Sequence, residues 1–171
     1  GMKADYNKKN LTKQDKKIIA IIPARGGSKR ISRKNTKLLA GKPLVAYTIE
    51  AAKRSSKLSR IFVSTEDEEI AKVARDYGVE IIQRPEVLAT DIATTESVIC
   101  HAVNYLEEKE SYFPDLVVLL QPTSPLRGSD IIDKAIEKSL KTNADSVISV
   151  CGSQHYFLSG KMDGDKYIPE Y

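Results

Sequence analysis

Apolar and polar positions along this chain follow two alternating rhythms. From Lys16 onward, short apolar runs give way to longer stretches with helical spacing, and the two recur in turn. "IIAII" (18–22) is continuous and rich in β-branched residues, the pattern of a strand covered on both faces. "PLVAYTIEAAKRS" (43–55) sets Leu44, Thr48 and Ala51 beside Val45, Ile49 and Ala52 at helical spacing, with Pro43 suited to a first turn. "RIFVS" (60–64) predicts the next strand. In "TEDEEIAKVARDYG" (65–78), Thr65 and Glu68 have capping-box spacing, Ile70, Val73, Ala74 and Tyr77 form an inner stripe, and Gly78 can end the helix.

The alternation continues. "VEII" (79–82) predicts a short strand, "TTESVICHAVNYLEE" (94–108) a helix burying Ile99, Ala102, Val103 and Leu106, and "DLVVLL" (115–120) a fourth strand. "SDIIDKAIEKSLK" (129–141) predicts a helix with Ser129 as N-cap, and "DSVISV" (145–150) a fifth strand. Strictly alternating elements of this kind predict an α/β fold: an open, mostly parallel sheet with helices on both faces.

Charge changes the picture at one end only. Residues 1–17 carry six lysines against Asp5 and Asp15, while the rest of the chain is balanced, although the whole has a net charge of +4. The excess therefore belongs to a flexible basic tail (1–17) ahead of a folded domain (18–171), and does not point to a nucleic-acid partner. No apolar run approaches the ~20 residues of a membrane-spanning helix. Cys100 and Cys151 lack metal-ligand spacing, and with two histidines a zinc site is not expected. Cys100, on a helical pattern, reads as a small core residue, and a reduced cytoplasmic setting is the simplest expectation.

In open parallel sheets, ligands bind beyond the carboxyl ends of the strands, and the chemistry-bearing residues fall there. "ARGGSKR" follows the first strand, "QRPEVLATDIATT" (83–95) the third and "QPTSPLRG" (121–128) the fourth. From Ala24 to Ile49 there is no acid, whereas Arg25, Lys29, Arg30, Arg33, Lys34, Lys37 and Lys42 supply seven cations. Gly26 and Gly27 allow close backbone approach, so the stretch reads as a polyphosphate cradle; the alternative is a solvated basic loop. It matches neither the Walker A pattern nor the dinucleotide fingerprint. Pro122 and Pro125 stiffen the later loop, restricting Gln121, Thr123 and Ser124 to a few directions, as base or ribose recognition would need. That loop could equally be a turn capping the next helix, and Arg127 either a phosphate contact or a surface residue.

Four stretches in order, "IIPARGGSKRISRKNTKLLAGKPL", "VSTEDEEIAKVARDYGVEII", "RPEVLATDIATT" and "LLQPTSPLR", resemble the acylneuraminate cytidylyltransferases, the CMP-sialic acid synthetases, over roughly residues 18–150. The resemblance implies a nucleotide-diphospho-sugar transferase (Rossmann-like) fold, CTP with Mg²⁺, and transfer of CMP to the anomeric hydroxyl of a nine-carbon sialic-type (nonulosonic) acid with release of pyrophosphate. It assigns the triphosphate to the basic loop, at Ala24, Arg25, Gly26, Ser28, Lys29, Lys34 and Asn35. It assigns the cytidine to Arg84, Thr95, Gln121, Pro122, Thr123 and Ser124, with Thr95 standing where the resemblance leads one to expect serine. Arg25 and Lys29 are the expected catalytic charge stabilisers. No nucleophilic side chain is needed, because nucleotidyl transfer asks for alignment and positive charge on the departing pyrophosphate.

The family continues past the point where this chain stops, through an Asn-Gly-containing segment to a pair of aspartates that helps hold the metal. Metal ligands therefore stay unassigned. Asp163 and Asp165, in "MDGDKY", read as a hairpin turn, and Asp91 either touches magnesium through water or fixes its own loop. His101 and His155 read as structural or surface residues. Legionaminate, pseudaminate and Kdo-type sugars stay open as substrates, although "QPTSP" lacks the carboxylate expected of the Kdo branch. The family is commonly homodimeric. The competing reading is a module that binds CTP without turning it over.

Overall fold

A computed structural model describes residues 16–27, 34–90, 92–122, 131–141, 148–150, 155–163 and 166–169, with side-chain detail as far as Lys141. Strand β1 (Ile18–Pro23) is followed by a small hairpin, β2 (Leu38–Leu39) and β3 (Lys42–Pro43), and then by helix α1 (Leu44–Lys53). Next come β4 (Arg60–Thr65), α2 (Glu68–Asp76), β5 (Glu80–Gln83), a 3₁₀ turn over Glu86–Leu88 and α3 (Thr95–Glu110). The chain continues through β6 (Leu116–Leu120), α4 (Ile131–Lys141), β7 (Ile148–Val150), β8 (His155–Asp163) and β9 (Lys166–Pro169).

The main sheet runs β5-β4-β1-β6-β8-β7, with β9 added to β8. β1 pairs in parallel with β4 on one side and β6 on the other, so the crossover direction reverses between β1 and β6. That reversal opens a crevice at the carboxyl ends of these two strands.

Alternate residues of β1 feed two separate cores, as a strand covered on both faces requires. Ile18, Ala20 and Ile22 pack with Val118, Leu120, Val63 and the inner faces of α1, α2 and α4. Ile19 and Ile21 pack with Phe62, Ile82, Val117, Leu119 and the inner face of α3. Helices therefore lie on both faces, as the alternation of elements predicted.

Three local expectations change. The helix over 68–76 is capped by Asp67, whose carboxylate accepts the Ile70 N–H at 3.0 Å, and not by Thr65. Thr65 is the last residue of β4, and its hydroxyl accepts the Asp67 N–H instead. Beside β6 the parallel neighbour is β8; the expected fifth strand, described over 148–150, runs antiparallel outside β8. The Asp-Gly hairpin holds, since β8 and β9 pair antiparallel with Asp163 opposite Lys166. Cys100, expected as a small core residue in a reduced setting, is half-buried on α3 and disulfide-bonded. The proposed Ser129 cap lies outside the described residues.

Candidate functional site

Three backbone contacts fix the loop leaving β1. The Ala24 N–H donates to the Ser64 carbonyl at 3.0 Å, extending the β1–β4 ladder by one step. The Gly26 N–H donates to a Glu66 carboxylate oxygen at 2.6 Å. From the far side of the loop, the Asn35 side-chain amide donates to the Arg25 carbonyl at 3.1 Å. Asn35 is itself anchored to α1, because its carbonyl accepts the Val45 N–H at 3.0 Å. Arg25 and Asn35, ten positions apart in sequence, thus meet at one edge of the sheet.

An open pocket of about 270 Å³ occupies this edge. Its walls are Pro23 and Arg25 after β1, Lys34 and Asn35 before α1, Arg84 after β5, and Gln121 with Pro122 after β6. Thr94, the N-cap of α3, Thr95 and Val98 close the remaining side together with Leu88, Thr90 and Ala93. The N-terminal end of α3, where unpaired amides favour negative charge, therefore borders the pocket.

Arg84 forms the buried part of the wall, at 4% exposure. Its Nε donates to Ser64 Oγ at 3.2 Å and its Nη2 to the Ser64 carbonyl at 3.0 Å. Burial pushes the guanidinium below its ordinary pKa; Glu66 pulls it back up and Arg25 pushes it further down. Two guanidiniums thus feel each other in a poorly solvated crevice, an arrangement that an incoming anion relieves. Asn35 adds a second signal. It is 7% exposed, and its Oδ1 is buried with no partner among the described residues, although buried acceptors are nearly always satisfied. A ligand N–H or O–H in the pocket would satisfy it.

Of the residues singled out from sequence, Arg25, Lys34, Asn35, Arg84, Thr95, Gln121 and Pro122 line this single pocket. Ala24 and Gly26 do not. Ala24 is 1% exposed within the core, and the Gly26 N–H is already held by Glu66. Gly26 is required by packing, since a Cβ there would lie 2.8 Å from Asp67 Cβ and overlap the Asp67 carboxylate. Ser28, Lys29, Thr123, Ser124 and Asp91 lie outside the described residues. Sequence reasoning missed Glu66, which reads there as one acid among several in a helix's first turn. The available signal was its place, directly after the last residue of a buried strand.

A family model described as "Cytidylyltransferase" matches residues 19–161. The N-acylneuraminate cytidylyltransferase of Escherichia coli O18:K1:H7 is 46% identical over 121 residues, 71% of this chain and 28% of that protein. The CMP-N,N'-diacetyllegionaminic acid synthase of Legionella pneumophila is 46% identical over 138 residues, 78% of this chain and 57% of that protein. This chain thus spans between about a quarter and three-fifths of the length of these two relatives. Among solved structures, CMP:2-keto-3-deoxy-manno-octonic acid synthetase complexed with CTP superposes with a TM-score of 0.64 at 20% identity, over 77% of this chain and 50% of that one. That likeness speaks for the fold.

Proposed function

The chain belongs to the cytidylyltransferase family, and from that footing we propose that it holds CTP in the pocket between β1 and β6 and serves the transfer of CMP to a nonulosonic acid. The observation carrying this reading is the meeting of Arg25, Lys34, Asn35, Arg84, Thr95, Gln121 and Pro122 around one cavity. They come from three stretches far apart in sequence, after β1, after β5 and after β6. The similarity to proteins named for N-acylneuraminate and N,N'-diacetyllegionaminic acid supports a sialic-type acid as acceptor.

The reaction places few covalent demands on the protein. The anomeric hydroxyl of the sugar acid attacks the α-phosphorus of CTP. The bond from α-phosphorus to the bridging oxygen breaks, pyrophosphate departs with that oxygen, and the hydroxyl proton passes to solvent. Arg25 and Lys34 offer fixed positive charge toward the phosphates, so little reorganisation is needed as charge builds on the leaving group. Lys29, in the same basic loop, is assigned that role from sequence. Gln121 supplies directional hydrogen bonds of the kind that fix a base or ribose, and the buried Asn35 Oδ1, an acceptor, suits a ribose or base donor better than the triphosphate to which the resemblance assigns Asn35.

Mg²⁺ enters this scheme as part of the substrate, MgCTP. The described pocket wall offers amides, hydroxyls and cations but no carboxylate, a donor set poorly suited to holding Mg²⁺ by itself. Among the described residues no group of three or more His, Cys, Asp or Glu gathers elsewhere.

The test is pyrophosphate release from MgCTP across a panel of nine-carbon sugar acids, beside direct CTP titration. Saturable CTP binding with sugar-dependent pyrophosphate release supports the reading. Saturable binding with no release for any sugar would instead support a binding module, and no CTP binding would overturn both.

A further inference from the structure

Glu66 is not part of the pocket wall but holds the backbone next to Arg25, which is. It follows Thr65, the final residue of β4, and precedes Asp67, the N-cap of α2. One carboxylate oxygen accepts the Gly26 N–H at 2.6 Å, a contact spanning 40 positions of sequence. The other is buried and has no hydrogen-bond partner among the described residues. A buried carboxylate oxygen without a hydrogen bond is costly, and such groups persist where something else is gained. Here the Glu66 charge also favours the charged form of Arg84, which is pressed by burial and by Arg25.

The neighbouring contacts serve the same loop. Gly26 is seated against Asp67 so closely that no Cβ fits, and Asp67 is fixed in turn by the Ile70 N–H. The basic loop is therefore mounted on the acidic step that opens α2. A stretch carrying several like charges is electrostatically driven to spread into solvent, and a backbone hydrogen bond to a half-buried carboxylate opposes that at its hinge with β1.

We propose that Glu66 is a positioning residue for the basic loop: its carboxylate fastens the backbone at Gly26, so that Arg25 is presented at the pocket edge before any anion arrives. The inference rests on the CTP reading above. The backbone at Arg25 and Gly26 is set in advance by an acid that never touches the nucleotide, and the binding energy of the phosphates is not spent on ordering it.

The test uses Glu66→Leu, which fills the space without an acceptor, and Glu66→Gln, which keeps an oxygen for the Gly26 N–H. CTP affinity should fall about tenfold or more in Glu66→Leu and stay within about threefold of wild type in Glu66→Gln. In unliganded wild type, the Gly26 amide should exchange with deuterium markedly more slowly than that of the exposed Gly27. Equal affinity of wild type and Glu66→Leu would overturn the proposal, as would equal losses in the two variants. Should Glu66→Leu fail to fold, Gly26 exchange as fast as Gly27 would overturn it in wild type alone. If wild type does not bind CTP, the nucleotide reading fails, while the exchange result still decides whether Glu66 holds the loop.

Discussion

The Arg84 guanidinium is fastened twice to Ser64, through Nε to the hydroxyl at 3.2 Å and through Nη2 to the carbonyl at 3.0 Å. Ser64 lies in β4, paired with Pro23 of β1, so the cation is tied to the strand beside the crevice and not to its own loop. A lysine has no planar fork with which to repeat that grip. Arg84→Lys is expected to weaken CTP binding about tenfold or more while the protein stays folded. Calorimetric titration beside a thermal melt measures both; unchanged affinity would remove Arg84 from the site.

The two adjacent glycines of the basic loop should behave oppositely. A Cβ on Gly26 displaces Asp67, whose carboxylate caps α2, whereas a Cβ on Gly27 meets nothing within 4 Å. Gly26→Ala should cost about 1–2 kcal/mol, the range for a lost cap. Gly27→Ala should be close to neutral. Denaturant unfolding of the two variants makes the comparison, and equal stabilities would contradict the packing described.

His101, on α3, has a buried Nδ1 with no partner. Burial, and then the Arg84 charge, lower its pKa below the ordinary value. The folded state therefore resists protonation more than the unfolded state does. Its contribution is neutral above about pH 6.5 and turns destabilising as pH falls below that value toward the folded pKa. Between about pH 7.5 and 5 the unfolding midpoint should drop in wild type. The drop should be smaller in His101→Gln, and identical slopes would show that His101 is not the titrating group.

A control lies at the opposite end of the sheet. Arg60 pairs with Glu80 at 2.5 Å and Glu110 at 2.7 Å and lies over the rings of Phe62 and Tyr112. Both acids hold its pKa above the ordinary value. Arg60→Met should lower the melting temperature by about 2–4 °C, since these partners are largely exposed and screened. CTP affinity should stay within about twofold, and a larger change would mean that the two ends of the sheet are coupled.

Much of the fold was legible because β1, β4 and β6 are buried on both faces and helices separate them, so periodicity alone distinguishes the elements. The placement of β8 was not. "HYFLSGKMD" carries a glycine and polar residues at alternate positions, a weaker strand signal than "DSVISV", yet it takes the parallel place beside β6. The Thr65 cap failed for a related reason. Capping-box spacing cannot tell a hydroxyl still inside a strand from one at a helix entry, and pairing with β5 keeps Thr65 in β4. In the pocket, Arg25, Asn35, Arg84 and Gln121 could be listed from sequence, but Glu66 could not. Its role depends on a contact across 40 residues, and local composition presents it only as a helix-opening acid.

The central claim is that one pocket at the β1–β6 crevice receives CTP. Amide and side-chain resonances followed during titration of isotope-labelled protein with MgCTP test it most directly. Saturable shifts concentrated at Arg25, Asn35, Arg84, Thr95 and Gln121, with Arg60 and Glu80 unmoved, are the predicted result. No saturable change, or changes centred at the opposite end of the sheet, would contradict it.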